Sequence, residues 1–209
     1  MRAHDRASVG DVLLERIYLV DRDAPLVAAW REVFREFAEV VVERGDFFAQ
    51  TADAMVSPGN SFGIMDGGLD AAIRDAMGPM IEQRVQTTLA EKHHGELPVG
   101  GAEIVATGDD RWPALVFAPT MRVPDDVSRT TNAYVAFRAI LLAVRRHNAS
   151  SERPIRSLLC PGLCTGIGAM PARRSAAQMR IAYRQILEPP VLPAFETIHE
   201  VHRKMRTVT

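Results

Sequence analysis

A three-layer α/β/α fold around a mixed, mostly parallel central sheet is predicted by three observations. Short apolar runs alternate with amphipathic helical patterns, and parallel strands need such crossovers, which cover both faces of a sheet. The runs at 102–107 and 114–119 are joined around Gly108-Asp109-Asp110, a link too short for a helix, so this pair reads as antiparallel. Glycine-rich loops at 57–68 and 161–171 each leave the end of an apolar run and enter a helical pattern. Open α/β sheets bind ligands at such carboxyl ends.

Residues 15–21 (Glu15-Arg16-Ile17-Tyr18-Leu19-Val20-Asp21) have the β-branched and aromatic content of a strand. Behind Asp23 as N-cap, residues 24–37 place Leu26, Val27, Trp30, Val33, Phe34 and Phe37 three and four apart, the spacing of one helix face. Strands follow at 39–43 and 54–56, separated by the breaker Gly45-Asp46. Residues 73–90 are helical in period, with a kink or restart at Pro79, and 93–101 form a loop. After the antiparallel pair comes a strongly apolar helix at 132–147, a last inner strand at 155–160 and a helix at 172–187. Pro189, Pro190 and Pro193 precede a terminal helix at 194–206 with basic residues near its end. One domain over 1–209 is expected, with its core at about 16–187 and a C-terminal helical extension.

A formal net charge of −1 with interspersed signs gives no bulk attraction to nucleic acid or an anionic membrane, so recognition of phosphate has to be local. The first residues, Met1-Arg2-Ala3-His4-Asp5-Arg6, lack the apolar core of a signal peptide, and no apolar run reaches 18 residues. A soluble, cytoplasmic protein is the expectation. Cys160 and Cys164 match neither a disulfide framework nor a zinc pattern and read as reduced structural thiols. His93-His94 and the pair His199, His202 lack a third ligand, so no metal and no cofactor is expected. Arg173, Arg174, Arg180 and Arg184 spread over more than one helix face, as a solvated surface does.

The two loops are suited to an anion. Glycines let backbone amides turn toward a ligand, and the unpaired N–H groups of a new helix add positive potential. Neither loop carries the lysine-bearing phosphate-loop pattern or G-x-G-x-x-G in a first βα unit, and no G-x-S-x-G elbow is present. Spacing alone therefore indicates a phosphate-ester pocket. Asp70, near a helix start, is either a cap or a functional carboxylate; Asn60 and Asp46 are either turn formers or ligand contacts. Thr120 and Arg122, at a strand end, face the same two readings.

Four elements in order carry a resemblance: Gly45-Asp46-Phe47; Val56-Ser57-Pro58-Gly59-Asn60; Gly67-Gly68-Leu69-Asp70-Ala71-Ala72-Ile73; and Cys164-Thr165-Gly166-Ile167-Gly168-Ala169-Met170-Pro171. Together they resemble the macro domain family, in a divergent bacterial or phage-related form, over about residues 16–187. Members of that family recognise ADP-ribose and related nucleotides, and some remove ADP-ribose from proteins or nucleic acids. The resemblance implies that Asp46, beside Phe47, accepts a hydrogen bond from the adenine amine. It implies that amides around Gly67, Gly68, Leu69, Thr165, Gly166 and Ile167 hold the diphosphate. By the same resemblance Asn60 would face the distal ribose, and Asn60 with Asp70 would position or activate a water at the anomeric carbon. The implied ligand contacts also include Phe47, Ser57 and Gly168; Ser57 stands where the family has a first Asn, and Gly168 where it has a stacking aromatic, which leaves that side more open. The implied partners are ADP-ribose or an ADP-ribosylated macromolecule, with nucleic acid only as carrier of the modification, and no membrane. If the chain is an enzyme, it is an ADP-ribosyl hydrolase. The alternative is a non-enzymatic structural or regulatory domain of a larger assembly, such as a phage tail or stress-response component, whose pocket is vestigial or takes another nucleotide or RNA end.

Overall fold

Among the described residues, six strands form one sheet in the order β2-β1-β6-β3-β5-β4. The structure, a computed structural model, describes residues 13–208; the amino-terminal residues from which the absence of a leader is read lie outside them. The strands are β1 (Arg16–Asp21), β2 (Val40–Arg44), β3 (Ala54–Ser57), β4 (Glu103–Ala106), β5 (Ala114–Phe117) and β6 (Ser157–Cys160). The β4–β5 pair is antiparallel and the others run parallel, as the short link at 108–110 requires.

The helices are α1 (Ala24–Val33), α2 (Gly68–Met77), α3 (Met80–His93), α4 (Asn132–Ser150), α5 (Ala172–Leu187) and α6 (Phe195–Thr207). Strand alternation decides which layer each side chain joins. Ile17, Leu19, Val56, Val116, Leu158 and Cys160 pack with Leu26 and Trp30 of α1, Phe137 and Ile140 of α4, and Met179 and Tyr183 of α5. Their neighbours Val20, Met55, Leu115, Phe117 and Leu159 face the other way, against Ile73 of α2 and Ile81, Val85 and Leu89 of α3. Each fully buried large side chain contributes about 1.5–3 kcal/mol relative to exposure. Asp53 ties β3 to β6: its Oδ2 accepts from the amides of Arg156 and Ser157, both at 2.8 Å.

Several boundaries differ from the sequence reading. The helix expected at 24–37 ends at Val33, where the Phe34 amide donates back to the Trp30 carbonyl. Phe34 and Phe37 instead pack on Tyr183, with ring centroids 6.1 and 5.0 Å away, and anchor the connection to β2. The helix expected from 73 begins at Gly68; Gly78, at φ 86°, ends it, and Pro79 caps the restart. At the C-terminal end, α6 is mostly exposed. Met205 is its buried residue, and Gln178 Nε2 and Arg174 Nε donate to the carbonyls of Met205 and Val208.

Candidate functional site

A cleft of about 630 Å³ opens at the carboxyl ends of β1, β3 and β6. Connections diverge here: β1 leads outward to β2 and β3 leads the opposite way to β5, with β6 between them.

The first loop, leaving β3, is held by polar bonds. Thr120 Oγ1 donates to the Pro58 carbonyl at 2.9 Å, and the amides of Thr120 and Ser61 pair with Gly59 and Arg122 carbonyls, carrying the ladder past the strand ends. Asn60 turns its carboxamide into its own loop: Nδ2 donates to the Ile64 carbonyl at 2.7 Å, and Oδ1 accepts from the Phe62 amide at 3.0 Å. Gly63, at φ +66°, lies against α3, where an added Cβ would meet Val85 Cγ1 at 2.7 Å. Met65 is buried in the core while Ile64 and Asp66 line the cleft.

Where α2 starts, no side chain among the described residues caps the helix. The amides of Gly67, Gly68 and Leu69 have no hydrogen-bond acceptor among the described residues. Asp70 lies in the first turn but does not cap it: its Oδ1 accepts from Ser57 Oγ at 2.7 Å. Burial pushes the Asp70 carboxyl up to about 6, against the lowering effect of that bond. Ser57 is 0% exposed, so it is withdrawn from the cleft and does not stand where a ligand contact was expected.

The second loop, leaving β6, works through backbone. Cys164 (φ 64°) and Ala169 (φ 51°) bend the chain, and the Met170 amide donates to the Cys164 carbonyl at 2.9 Å. The amides of Thr165, Gly166 and Ile167 have no acceptor among the described residues. Ile167 is 60% exposed at the mouth of the cleft. Gly168, expected to leave its side open, is buried: a Cβ there would meet the Cys164 carbonyl oxygen at 2.6 Å and Val127 Cγ2 at 2.7 Å. Val127 closes this side, and no aromatic fits at 168. Burial raises both cysteine thiols, Cys164 to about 12, so neither offers a thiolate at neutral pH.

At the far end, Asp46 caps the turn Phe47–Ala49 by accepting from the Phe48 amide at 3.1 Å, and it pairs with Arg22 at 3.3 Å. Phe47 and Phe48 meet edge to face, 5.6 Å between centroids, and both line the cleft with Arg22, Asp21 and Asp23. Asp21 Oδ2 accepts from the Gly162 amide at 3.2 Å, joining β1 to the second loop. The sequence reading missed Arg22 and Asp21; their position directly after β1 was the available signal. Thr120 lines the cleft, whereas Arg122 is bound to Glu96 at 2.7 and 3.0 Å. His93 pairs with Glu103, and among the described residues no three side chains form a metal-binding group. Nor is any described helix long and apolar enough to cross a membrane.

The cleft thus brings together Asp46, Phe47, Asn60, Gly67, Gly68, Leu69, Asp70, Thr165, Gly166, Ile167 and Gly168. The sequence profile described as Macro domain matches residues 56–179. A macro domain-containing protein of Streptomyces griseus is 31% identical over 157 residues, 73% of this chain and 81% of that protein. The Oceanobacillus iheyensis macrodomain solved with ADP superposes at a TM-score of 0.58 and 21% identity, covering 77% of this chain and 87% of that one. The Trypanosoma brucei macrodomain solved in complex with ADP-ribose superposes at 0.51 and 18% identity, covering 84% and 60%.

Proposed function

Because this chain belongs to the macro domain family, we propose that its cleft binds ADP-ribose or a closely related nucleotide, with the diphosphate held between the two loops. The observation that carries this reading is the set of amides without acceptors on both loops, Gly67 to Leu69 on one side and Thr165 to Ile167 on the other. A helix N-terminus adds favourable potential for an anion on the first side. Asp46 reads the adenine amine beside Phe47 and Phe48. Asn60 shapes the first loop beside the distal ribose through its three bonds to Phe62 and Ile64. The macrodomains solved with ADP and with ADP-ribose support the ligand class.

Isothermal titration of the protein with ADP-ribose tests this. Saturable binding is expected, with stabilisation that grows with ligand concentration; no heat and no thermal shift at about 300 µM overturns it.

Hydrolysis of an ADP-ribosyl linkage is the second reading, favoured by Asp70, whose carboxyl is raised to about 6 yet mostly ionised at neutral pH. A water oxygen forms the new bond to the anomeric carbon as the bond to the acceptor's oxygen breaks. The electron pair leaves with that oxygen, and Asp70 takes the water's proton. Asp70→Ala is expected to lower release of ADP-ribose from a modified protein by about a hundredfold or more; unchanged release removes Asp70 from the reaction, and no release by the unsubstituted protein assigns it a binding role only.

A further inference from the structure

The Asp70 carboxylate is held from below by a side chain that no ligand can reach. Ser57 ends β3 on the face turned to α2, is 0% exposed, and donates its Oγ–H to Asp70 Oδ1 at 2.7 Å. The other oxygen, Oδ2, lies 2.6 Å from the point where a Cβ on Gly59 would stand, and Phe117 Cε2 lies 2.9 Å from that point. One carboxylate oxygen is pinned by a buried hydroxyl, and the other occupies room that glycine at 59 leaves beside the cleft.

We propose that Ser57 is a positioning residue for Asp70: its hydroxyl fixes the carboxylate so that Oδ2 is presented beside Gly59, on the wall of the nucleotide cleft. This rests on the nucleotide-cleft reading for its functional meaning, but the contact itself is independent of any ligand. The elements around Asp70 make the arrangement clean. β3 offers Ser57 after three apolar residues, β5 offers Phe117, and the loop offers Gly59, while the Asn60 carboxamide is taken up by Phe62 and Ile64 of its own loop. Arg74 on α2 is turned to Asp75 and Glu82, while Asp66 lines the cleft and Arg22, Asp21, Asp23 and Asp46 stand at its far end. Burial raises the Asp70 carboxyl and the Ser57 bond opposes it.

The test uses the full chain with carbon-13-labelled aspartate and follows the Asp70 carboxyl by NMR from pH 4 to 8. In the unsubstituted protein the midpoint is expected near 6. Ser57→Ala removes a bond that lowers the pKa, so its midpoint is expected to rise by about one unit. Ser57→Thr, which keeps the hydroxyl, restores the original midpoint. Should the added methyl prevent folding, Ser57→Cys, with similar shape and a weak donor, is expected to follow Ser57→Ala. Affinity of Ser57→Ala for ADP-ribose stays within about threefold, because the hydroxyl does not face the ligand. Where release of ADP-ribose is measured, kcat falls about tenfold and the acid limb of its pH profile moves up with the NMR midpoint. A folded Ser57→Ala protein with an unmoved midpoint overturns the proposal, as does loss of affinity in step with loss of turnover. Absence of ADP-ribose binding by the unsubstituted protein overturns the nucleotide reading instead, and the titration still decides the role of Ser57.

Discussion

The two loops that flank the cleft are built from different materials. The loop between β3 and α2 is knit by side chains: Asn60 bonds to Phe62 and Ile64, Thr120 to Pro58, and Ser57 to Asp70. The loop between β6 and α5 places no charged side chain in the cleft, and its shape comes from left-handed residues at Cys164 and Ala169 and from packing of Gly168 on Val127. Chemistry is concentrated on the first loop, and shape on the second. A polar network can be altered one bond at a time, whereas a tightly packed backbone loop is intolerant at its packed points and tolerant where it is open.

Substitutions can break or sharpen that contrast. At Gly166 an added Cβ meets nothing within 4 Å, so Gly166→Glu should fold with an unchanged melting temperature while setting a carboxylate beside the diphosphate. Affinity for ADP-ribose is expected to fall about a hundredfold or more by calorimetry. At Gly168 the opposite holds, since a Cβ would lie 2.6 Å from a backbone oxygen. Gly168→Ala is expected to cost about 2–3 kcal/mol in denaturant unfolding. Gly67→Ala, in open space at φ −147°, is expected to change stability by less than about 1 kcal/mol.

Asp70 supplies a smaller effect with a definite pH dependence. Its folded-state pKa of about 6 exceeds the ordinary 3.8, so the folded chain holds this proton more tightly than the unfolded chain. The stabilisation from that proton is fully present below pH 3.8 and is lost as pH rises through about 6. Asp70→Asn keeps an acceptor for Ser57 without the buried charge. It is expected to be more stable than the unsubstituted protein by about 1–2 kcal/mol at pH 7.5, a difference that vanishes as pH falls to about 4. Thermal melts at the two pH values read it directly. The smallest expected change is at Arg22, whose pair with Asp46 joins side chains 79% and 50% exposed. Arg22→Ala is expected to alter ADP-ribose affinity by about threefold or less, because exposed pairs contribute little.

Much of this was legible in sequence because it depends on local pattern. Strand, glycine loop and helix start are consecutive in each half of the cleft, although Ser57, read as the first loop residue, is the last residue of β3. The remainder depends on neighbours distant in the chain. Burial of Ser57 is decided by α2 and the sheet, and closure at Gly168 by Val127, which comes from the segment before α4. Asn60 offered two readings, and the bonds show its carboxamide committed to its own loop. Arg22 escaped notice because its pairing with Asp46 links the ends of two strands that only the fold makes adjacent.

A crystal of the protein soaked with ADP-ribose tests the two-loop clamp most directly. The expected result is a diphosphate within hydrogen-bond distance of amides from both sets, Gly67 to Leu69 and Thr165 to Ile167, with adenine beside Asp46. A diphosphate touching only one loop, or a nucleotide bound outside the cleft, would contradict it.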